Sequence, residues 1–115
     1  MLPLKRKVKK EIFDQIMKKG VFVHSDSFYL KFLPQNTDLP SNFAFVVPIK
    51  VKRTSVGRHL IKRRMTAVVE KVLSYTKNGF FVILFAKKDV SLFSFVNIER
   101  EILDLLRKAK ILNLG

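Results

Sequence analysis

The residues best suited to chemistry form a strongly basic segment, KVKRTSVGRHLIKRRM, which runs from Lys50 to Met65. No acidic residue occurs between Asp38 and Glu70. Arg guanidinium groups bind phosphate oxygens in bidentate fashion and Lys adds a compact positive charge, so the segment predicts a phosphate-binding surface. The candidates for this surface are Lys50, Lys52, Arg53, Arg58, His59, Lys62, Arg63 and Arg64.

Helical periodicity places most of this segment on an amphipathic helix over residues 55–75, capped by Thr54 or Ser55. The apolar residues that share one side of this helix are Val56, Leu60, Ile61, Met65, Val68, Val69 and Val72. The basic residues on the opposite side are Arg58, His59, Lys62 and Arg63. Arg64 falls near the apolar side and can lie along the edge of a sheet. Such a patch can serve solubility alone, but its like charges repel one another, and a polyanionic partner would remove that cost.

The sequence contains no cluster of residues suited to catalysis by the polypeptide. Its two histidines, His24 and His59, are far apart and neither has a metal-ligand spacing. Glu99 and Glu101 fall on the exposed face of a predicted amphipathic helix, and the other acids are scattered. There is no glycine-rich phosphate loop and no nucleophile motif. Because a protein nuclease needs clustered carboxylates to hold Mg²⁺, we expect neither catalytic nor metal-binding residues.

The elements that must position the basic helix follow the order α-β-β-α-β-α. Apolar periodicity predicts helices over 5–19, 55–75 and 95–110, and strands over 27–33, 43–49 and 80–86. A helix between the second and third strands allows those two strands to pair in parallel. We therefore expect an α/β fold, a small sandwich with a mixed sheet packed by helices, in a single domain over 1–115.

The global charge favours the same kind of partner. The 115 residues include 23 Lys and Arg against nine Asp and Glu, a net charge of +14. This charge attracts nucleic acid, although it does not by itself separate RNA from DNA or an anionic membrane. The lack of Cys excludes a disulfide scaffold and a zinc ribbon. No apolar run approaches the ~20 residues of a membrane span, and the opening MLPLKRKVKK lacks the apolar core of a signal peptide, so we expect a cytoplasmic protein without membrane association.

The basic helix resembles the signature of the ribonuclease P protein family, roughly R-N-x-x-K-R-x-x-R. Arg58, Lys62 and Arg63 match that pattern, whereas His59 replaces the Asn and Thr66 stands where the last Arg is common. The segments KKEIFDQIMKKG, SFYLKFL, FFVILFAKK and LLRKAKIL are similar to the first helix, strands and last helix of the family. The resemblance covers nearly the whole chain and agrees with the predicted element order.

This resemblance implies a subunit of a ribonucleoprotein. In that family a catalytic RNA subunit carries the Mg²⁺ ions and removes the 5′ leader of precursor tRNA. The protein binds this RNA through its basic helix, holds the leader in a cleft between the first helix and the sheet, and requires no protein partner. Candidates for the leader cleft are Phe13, Met17, Tyr29 and Lys31. The alternatives are another RNA-binding module, such as a ribosomal or tRNA-binding accessory protein, and a basic protein that coats DNA or a membrane.

Overall fold

The computed structural model of the protein describes residues 10–35 and 37–112. The helices within these residues are α1 (Lys10–Lys19), α2 (Ser55–Val72) and α3 (Phe95–Lys108). The strands are β1 (Val21–His24), β2 (Phe28–Pro34), β3 (Asn42–Val46) and β4 (Phe80–Ala86). A short 3-10 turn, Leu73–Tyr75, follows α2. Residues 5–9 of the first predicted helix lie outside the described residues.

The four described strands form one mixed sheet in the order β1-β2-β4-β3. β2 is antiparallel to both β1 and β4, whereas β3 and β4 are parallel. The predicted α/β class and the predicted parallel pair are therefore confirmed. The predicted order α-β-β-α-β-α is wrong by one element, because it omits β1. That strand has only four residues and lies at the edge of the sheet, so its sequence carries too little alternation to reveal it.

One face of the sheet packs against α2 and α3 and forms the main core. Phe28, Leu30 and Phe32 alternate along β2 to reach this core, as the period of a strand requires. The buried residues of α2 are Ile61, Met65, Val68, Val69 and Val72. Val56 and Leu60 were predicted to join them, but they are 82% and 37% exposed. The buried side chains of the helix begin at Ile61, and residues 55–60 are exposed or half-buried.

The other face of the sheet carries α1 and a smaller apolar cluster. Ile16 of α1 is fully buried there against Ile83 and Phe85 of β4. The helix ends at Lys19, and the main-chain N–H of Gly20 donates to the carbonyl of Ile16 at 2.8 Å. This confirms the stop predicted at Gly20. Of the described helices, α1 is the one that packs on this face of the sheet.

Two side chains fix the starts of the long helices. The Thr54 hydroxyl accepts from the N–H of Gly57 at 3.1 Å, and the Ser94 hydroxyl accepts from the N–H of Asn97 at 3.2 Å. Each bond satisfies one of the N–H groups that the first turn of a helix leaves without a partner. The start of α2, and with it the basic segment, is thereby placed at a defined point beyond β3.

Candidate nucleic-acid interface

Arg58 fixes the loop that leads into α2. Its Nη1 donates to the carbonyls of Lys52 and Arg53, at 3.0 and 2.8 Å. The loop also lies close to Gly57, where an added Cβ would come within 2.6 Å of Thr54 Oγ1 and of Lys52 Cε. Arg58 is consequently half-buried, and two of its N–H groups serve the fold.

The loop between β4 and α3 is tied to the same region. The Asp89 carboxylate accepts from the N–H of Ser91 at 2.9 Å and from Lys52 Nζ at 3.0 Å. These hydrogen bonds, those from Ser91 first, lower the pKa of the Asp89 carboxyl to about 2. Arg64 reaches the same loop, where its Nη1 donates to the Ser91 carbonyl at 2.9 Å. Lys52 and Arg64 therefore use some of their hydrogen-bond donors within the protein.

The remaining predicted basic residues are exposed, and within residues 10–35 and 37–112 no ion pair joins them to an acid. They are Lys50, Arg53, His59, Lys62 and Arg63. The last three lie within five residues on α2, with His59 and Arg63 one turn apart on one face. We call these five residues the cationic surface. Within the described part of the chain its Lys and Arg charges have no acidic partner. Its backbone is held by the capped helix and the Arg58 bonds.

The four residues predicted for the leader cleft lie together on the α1 side of the sheet. Phe13 is half-buried against the cluster of Ile16, Ile83 and Phe85. Lys31 crosses from β2 to α1, where its Nζ donates to the carbonyl of Met17 at 3.1 Å. Tyr29 packs against the same cluster, and burial raises the pKa of its hydroxyl, so that the phenol stays neutral.

Two aromatic residues beside this group were not predicted as site residues. Register places Phe22 opposite Lys31 and His24 opposite Tyr29, so all four side chains share one face of the sheet. The Phe22 ring lies 5.4 Å from His24 and 5.2 Å from Tyr29, and Tyr29 stacks on Phe85 at 4.4 Å. The signal in the sequence was the alternation of Phe22 and His24 within VFVH, which becomes meaningful only once β1 is recognised.

The turn that joins β1 to β2, next to these rings, is held by α3 and by the two lysines that follow β4. Glu101 of α3 accepts a hydrogen bond from the N–H of Ser27 at 2.5 Å and another from the Ser25 hydroxyl. Lys87 Nζ donates to the Ser25 carbonyl at 2.8 Å, and Lys88 pairs with Asp26 at 2.7 Å. The hairpin of β1 and β2 is thus fixed at its closed end.

Comparison with known families agrees with this arrangement. The sequence model of the family described as Ribonuclease P matches residues 2–110, which is nearly the whole chain. The chain belongs to the ribonuclease P protein family. A curated relative, the Ribonuclease P protein component of Pseudanabaena sp. (strain PCC 6903), is 25% identical over 114 residues, which make up 98% of each protein. Membership implies that the chain is part of an endoribonuclease complex with an RNA partner.

Solved structures of ribonuclease P proteins share the fold. The Staphylococcus aureus RNase P protein superimposes with a TM-score of 0.82 at 22% identity, over 94% of this chain and 98% of that one. The Thermotoga maritima protein gives 0.75 at 22% identity, over 93% and 94% of the two chains. At this identity the likeness establishes the architecture, including the mixed sheet with helices on both faces.

The ribonuclease P signature is altered at two positions of α2, and the structure shows what stands there. His59 is exposed on the cationic surface in place of the Asn. Thr66 stands where an Arg is common, and its hydroxyl donates to the Lys62 carbonyl at 2.8 Å, so it faces its own helix. Arg64 does not replace the lost charge there, because its guanidinium is bound to Ser91.

Residues 10–35 and 37–112 contain no group of three or more His, Cys, Asp or Glu side chains able to hold a metal ion. The described part of the chain therefore does not fit a resident Mg²⁺. Among the same residues, no helix is long and apolar enough to cross a membrane.

Proposed function

We propose that this protein is the protein subunit of ribonuclease P. It binds the catalytic RNA subunit and the 5′ leader of precursor tRNA, and it assists the Mg²⁺-dependent endonucleolytic removal of that leader. The observation that carries the proposal is the cationic surface. It belongs to a stretch of sequence with no acidic residue between Asp38 and Glu70, in a chain that belongs to this family. We further propose that the protein acts in the cytoplasm, away from membranes, and requires no protein partner.

The basic residues divide the work of binding the RNA subunit in two ways. Lys62 and Arg63 offer whole charges to phosphates, together with the exposed Lys50 and Arg53, and the exposed His59 adds a hydrogen-bonding ring. In contrast, Arg58 and Lys52 mainly position the loop, although Arg58 retains Nη2 and Nε as donors beyond its two internal bonds. Arg64 joins α2 to the loop before α3 and shapes the surface from below.

The leader is proposed to bind on the α1 side of the sheet. Tyr29 offers a ring that is held in place by its stack on Phe85, and a neutral phenol does not repel phosphate. Lys31 brings an ammonium group there, and its hydrogen-bond partner, the Met17 carbonyl, is not a counterion. Phe13 and Met17 supply apolar contacts from α1, where Met17 is 36% exposed.

The RNA is proposed to carry the Mg²⁺ ions. Such ions supply an activated water and stabilise the charge on the phosphate that is cleaved. The scarcity of clustered carboxylates in the described chain supports this division of labour. What the protein residues contribute is charge neutralisation at the RNA backbone and the orientation of the leader.

Reconstitution tests the proposal. The purified protein is mixed with a bacterial ribonuclease P RNA at low Mg²⁺, and cleavage of a precursor tRNA is followed. We expect cleavage at the mature 5′ end that depends on the protein and that falls when Lys62 and Arg63 are both changed to Gln. If the folded protein does not stimulate a cognate RNA but still binds RNA, the proposal is wrong and a general RNA-binding module is the better description.

A further inference from the structure

The largest exposed aromatic area near the proposed leader site lies on β1, away from α1. The Phe22 ring is 52% exposed and is bracketed by His24 on its own strand and Tyr29 on the next. The exposed His24 and the half-buried Tyr29 extend the row to Phe85. We call Phe22, His24 and Tyr29 the aromatic platform.

We propose that the aromatic platform stacks unpaired RNA bases, so that the leader continues from the α1 side of the sheet outward over β1. The proposal rests on the proposed function only in naming the leader as the RNA. Bases offer their faces to aromatic side chains whatever their sequence, and sheets that expose rows of rings bind single strands in this way. At centroid separations of 5.2 and 5.4 Å the rings contact one another, so they form one continuous surface rather than isolated side chains.

The space beside α1 offers less aromatic surface. The bond from Lys31 Nζ to the Met17 carbonyl, at 3.1 Å, bridges α1 and β2 directly above the sheet. Phe13 is half-buried and packs against the apolar cluster of Ile16 and Ile83, so it offers only part of its ring to a base. For a single-stranded RNA that contacts Lys31, the neighbouring exposed ring is therefore that of Phe22, the cross-strand partner of Lys31.

The charge beside the platform fits a nucleic acid better than an apolar protein partner. The Lys31 ammonium lies on the cross-strand partner of Phe22, and the Met17 carbonyl to which it donates is not a counterion. A cation next to stacked rings matches the neighbouring phosphate and base of a single strand. An apolar protein partner would instead bury the Lys31 ammonium at a cost in solvation.

The platform is also preorganised, which lowers the entropic cost of binding. Tyr29 and Phe85 stack with their planes 6° apart, so the inner ring is held before any ligand arrives. Glu101 binds Ser27 N–H and the Ser25 hydroxyl, and thereby holds the turn that joins β1 to β2. Glu101 is a positioning residue for the platform, since it acts from α3 through the turn.

The first test separates stacking from charge. The dissociation constants of an eight-nucleotide oligouridine and of an abasic strand with the same phosphates are measured with the protein alone. Their ratio cancels the phosphate contribution. We expect the protein to prefer the strand with bases by about tenfold, which corresponds to ~1.4 kcal/mol of stacking. Phe22→Ala should abolish most of this preference, and Phe22→Trp should restore it.

Val21 provides the matched control. It is the neighbour of Phe22, is 50% exposed, and points to the opposite face of the sheet, because its cross-strand partner Phe32 belongs to the main core. Val21→Ala should leave the preference for bases unchanged. If Phe22→Ala and Val21→Ala give the same ratio as the unchanged protein, the aromatic platform does not bind bases and the inference is wrong.

The second test asks whether the RNA is the leader. Precursor tRNAs with one abasic position at each site of the leader are bound to the reconstituted complex, with either the unchanged protein or Phe22→Ala. At one or two leader positions the two changes should be non-additive, because both remove the same stack. If the leader raises affinity but neither test depends on Phe22, the inference fails and the proposed function stands. If only the oligouridine preference depends on Phe22, the platform stands and its assignment to the leader fails.

Discussion

Lys62 and Arg63 differ from Arg58 in what their charges contact. The first two are exposed on the outer side of α2, whereas Arg58 gives two N–H groups to the carbonyls of Lys52 and Arg53. A side chain whose charge is not paired within the protein can contact a phosphate without first breaking an internal bond. Each such contact releases counterions from the RNA. Salt dependence therefore distinguishes the residues that bind RNA from those that hold the loop.

We expect Lys62→Ala with Arg63→Ala to reduce the slope of log K against log salt by about two, because about two phosphate contacts are lost. Affinity for the RNA subunit is measured by filter binding over a range of salt. The control is Lys77→Ala with Lys108→Ala, which removes the same charge at exposed positions outside α2. Equal slopes for the two double variants would remove this face of α2 from the interface.

Asp89 makes a second residue-level prediction, on stability. Hydrogen bonds from Ser91 and Lys52 hold its pKa at about 2, below the ordinary value of 3.8. A carboxyl whose pKa is lower in the folded state stabilises the fold above its unfolded pKa, and this stabilisation is lost as pH falls. The free energy of unfolding should thus fall between about pH 4 and pH 2, and Asp89→Asn should flatten the curve in that window.

Urea titrations at a series of pH values check the role of Asp89. Asp38→Asn serves as the control, because it removes a negative charge from an exposed carboxyl. A curve for Asp89→Asn that keeps the full slope of the unchanged protein below pH 4 would mean that other carboxyls govern the acid limb. The loop between β4 and α3 would then not depend on this charge.

At the scale of elements, one side chain of α3 hydrogen-bonds the turn between β1 and β2. Glu101 accepts from both the Ser27 N–H and the Ser25 hydroxyl, and no second acceptor in α3 reaches this turn among the described bonds. Glu101→Ala should lower the free energy of unfolding by about 1–3 kcal/mol, because it leaves a partly buried N–H without its partner. Glu101→Gln should cost less, since its amide oxygen can still accept.

Two controls accompany the Glu101 variants in urea unfolding. Glu99→Ala removes a neighbouring carboxylate of α3 whose pair with Lys71 is exposed, and such pairs contribute about 0–1 kcal/mol. A loss at Glu101 no larger than the loss at Glu99 would show that the turn is held by its own backbone. The two residues look alike in the sequence, and only the structure separates them.

The elements also show how far the sequence could predict this molecule. β4 and the buried part of α2 were predictable because long apolar patterns bury many side chains together. β1 was not, because an exposed edge strand of four residues pairs through its backbone and leaves little trace in its side chains. Phe22 and His24 were missed with it, since their common face exists only through the register with β2.

The cationic segment was recognisable, but the partners of its residues were not. Charge density and helical spacing indicated the surface, and the match over residues 2–110 agrees with the family that they suggested. The contacts of Arg58 and Arg64 depend instead on loops that lie five to 27 residues away along the chain. These loops contain Lys52, Arg53 and Ser91. A helical wheel contains no information about such loops, so it assigns all basic side chains of one face the same role.

At the scale of the whole molecule, the net charge sets the response to salt. The chain carries +14, and the described molecule measures 38 × 32 × 24 Å. The Debye length falls from ~30 Å at 0.01 M salt to ~8 Å at 0.15 M, so at low salt charges repel across the entire fold and at higher salt only near neighbours interact. The exposed ion pairs, such as Lys88 with Asp26, are screened as well, but each contributes little.

We therefore expect sodium chloride to stabilise the free protein while it weakens binding to RNA. Thermal unfolding should show one transition whose midpoint rises between 0.01 and 0.15 M salt, by about 4–8 °C for each kcal/mol of repulsion that is screened. Saturating RNA at low salt should raise the midpoint as well, because it neutralises the same charges and binds only the folded state. A midpoint that falls with salt would mean that the ion pairs outweigh the repulsion. Salt has opposite effects on folding and on RNA binding because both depend on the same excess of positive charge. This charge destabilises the free protein by repulsion and attracts the RNA.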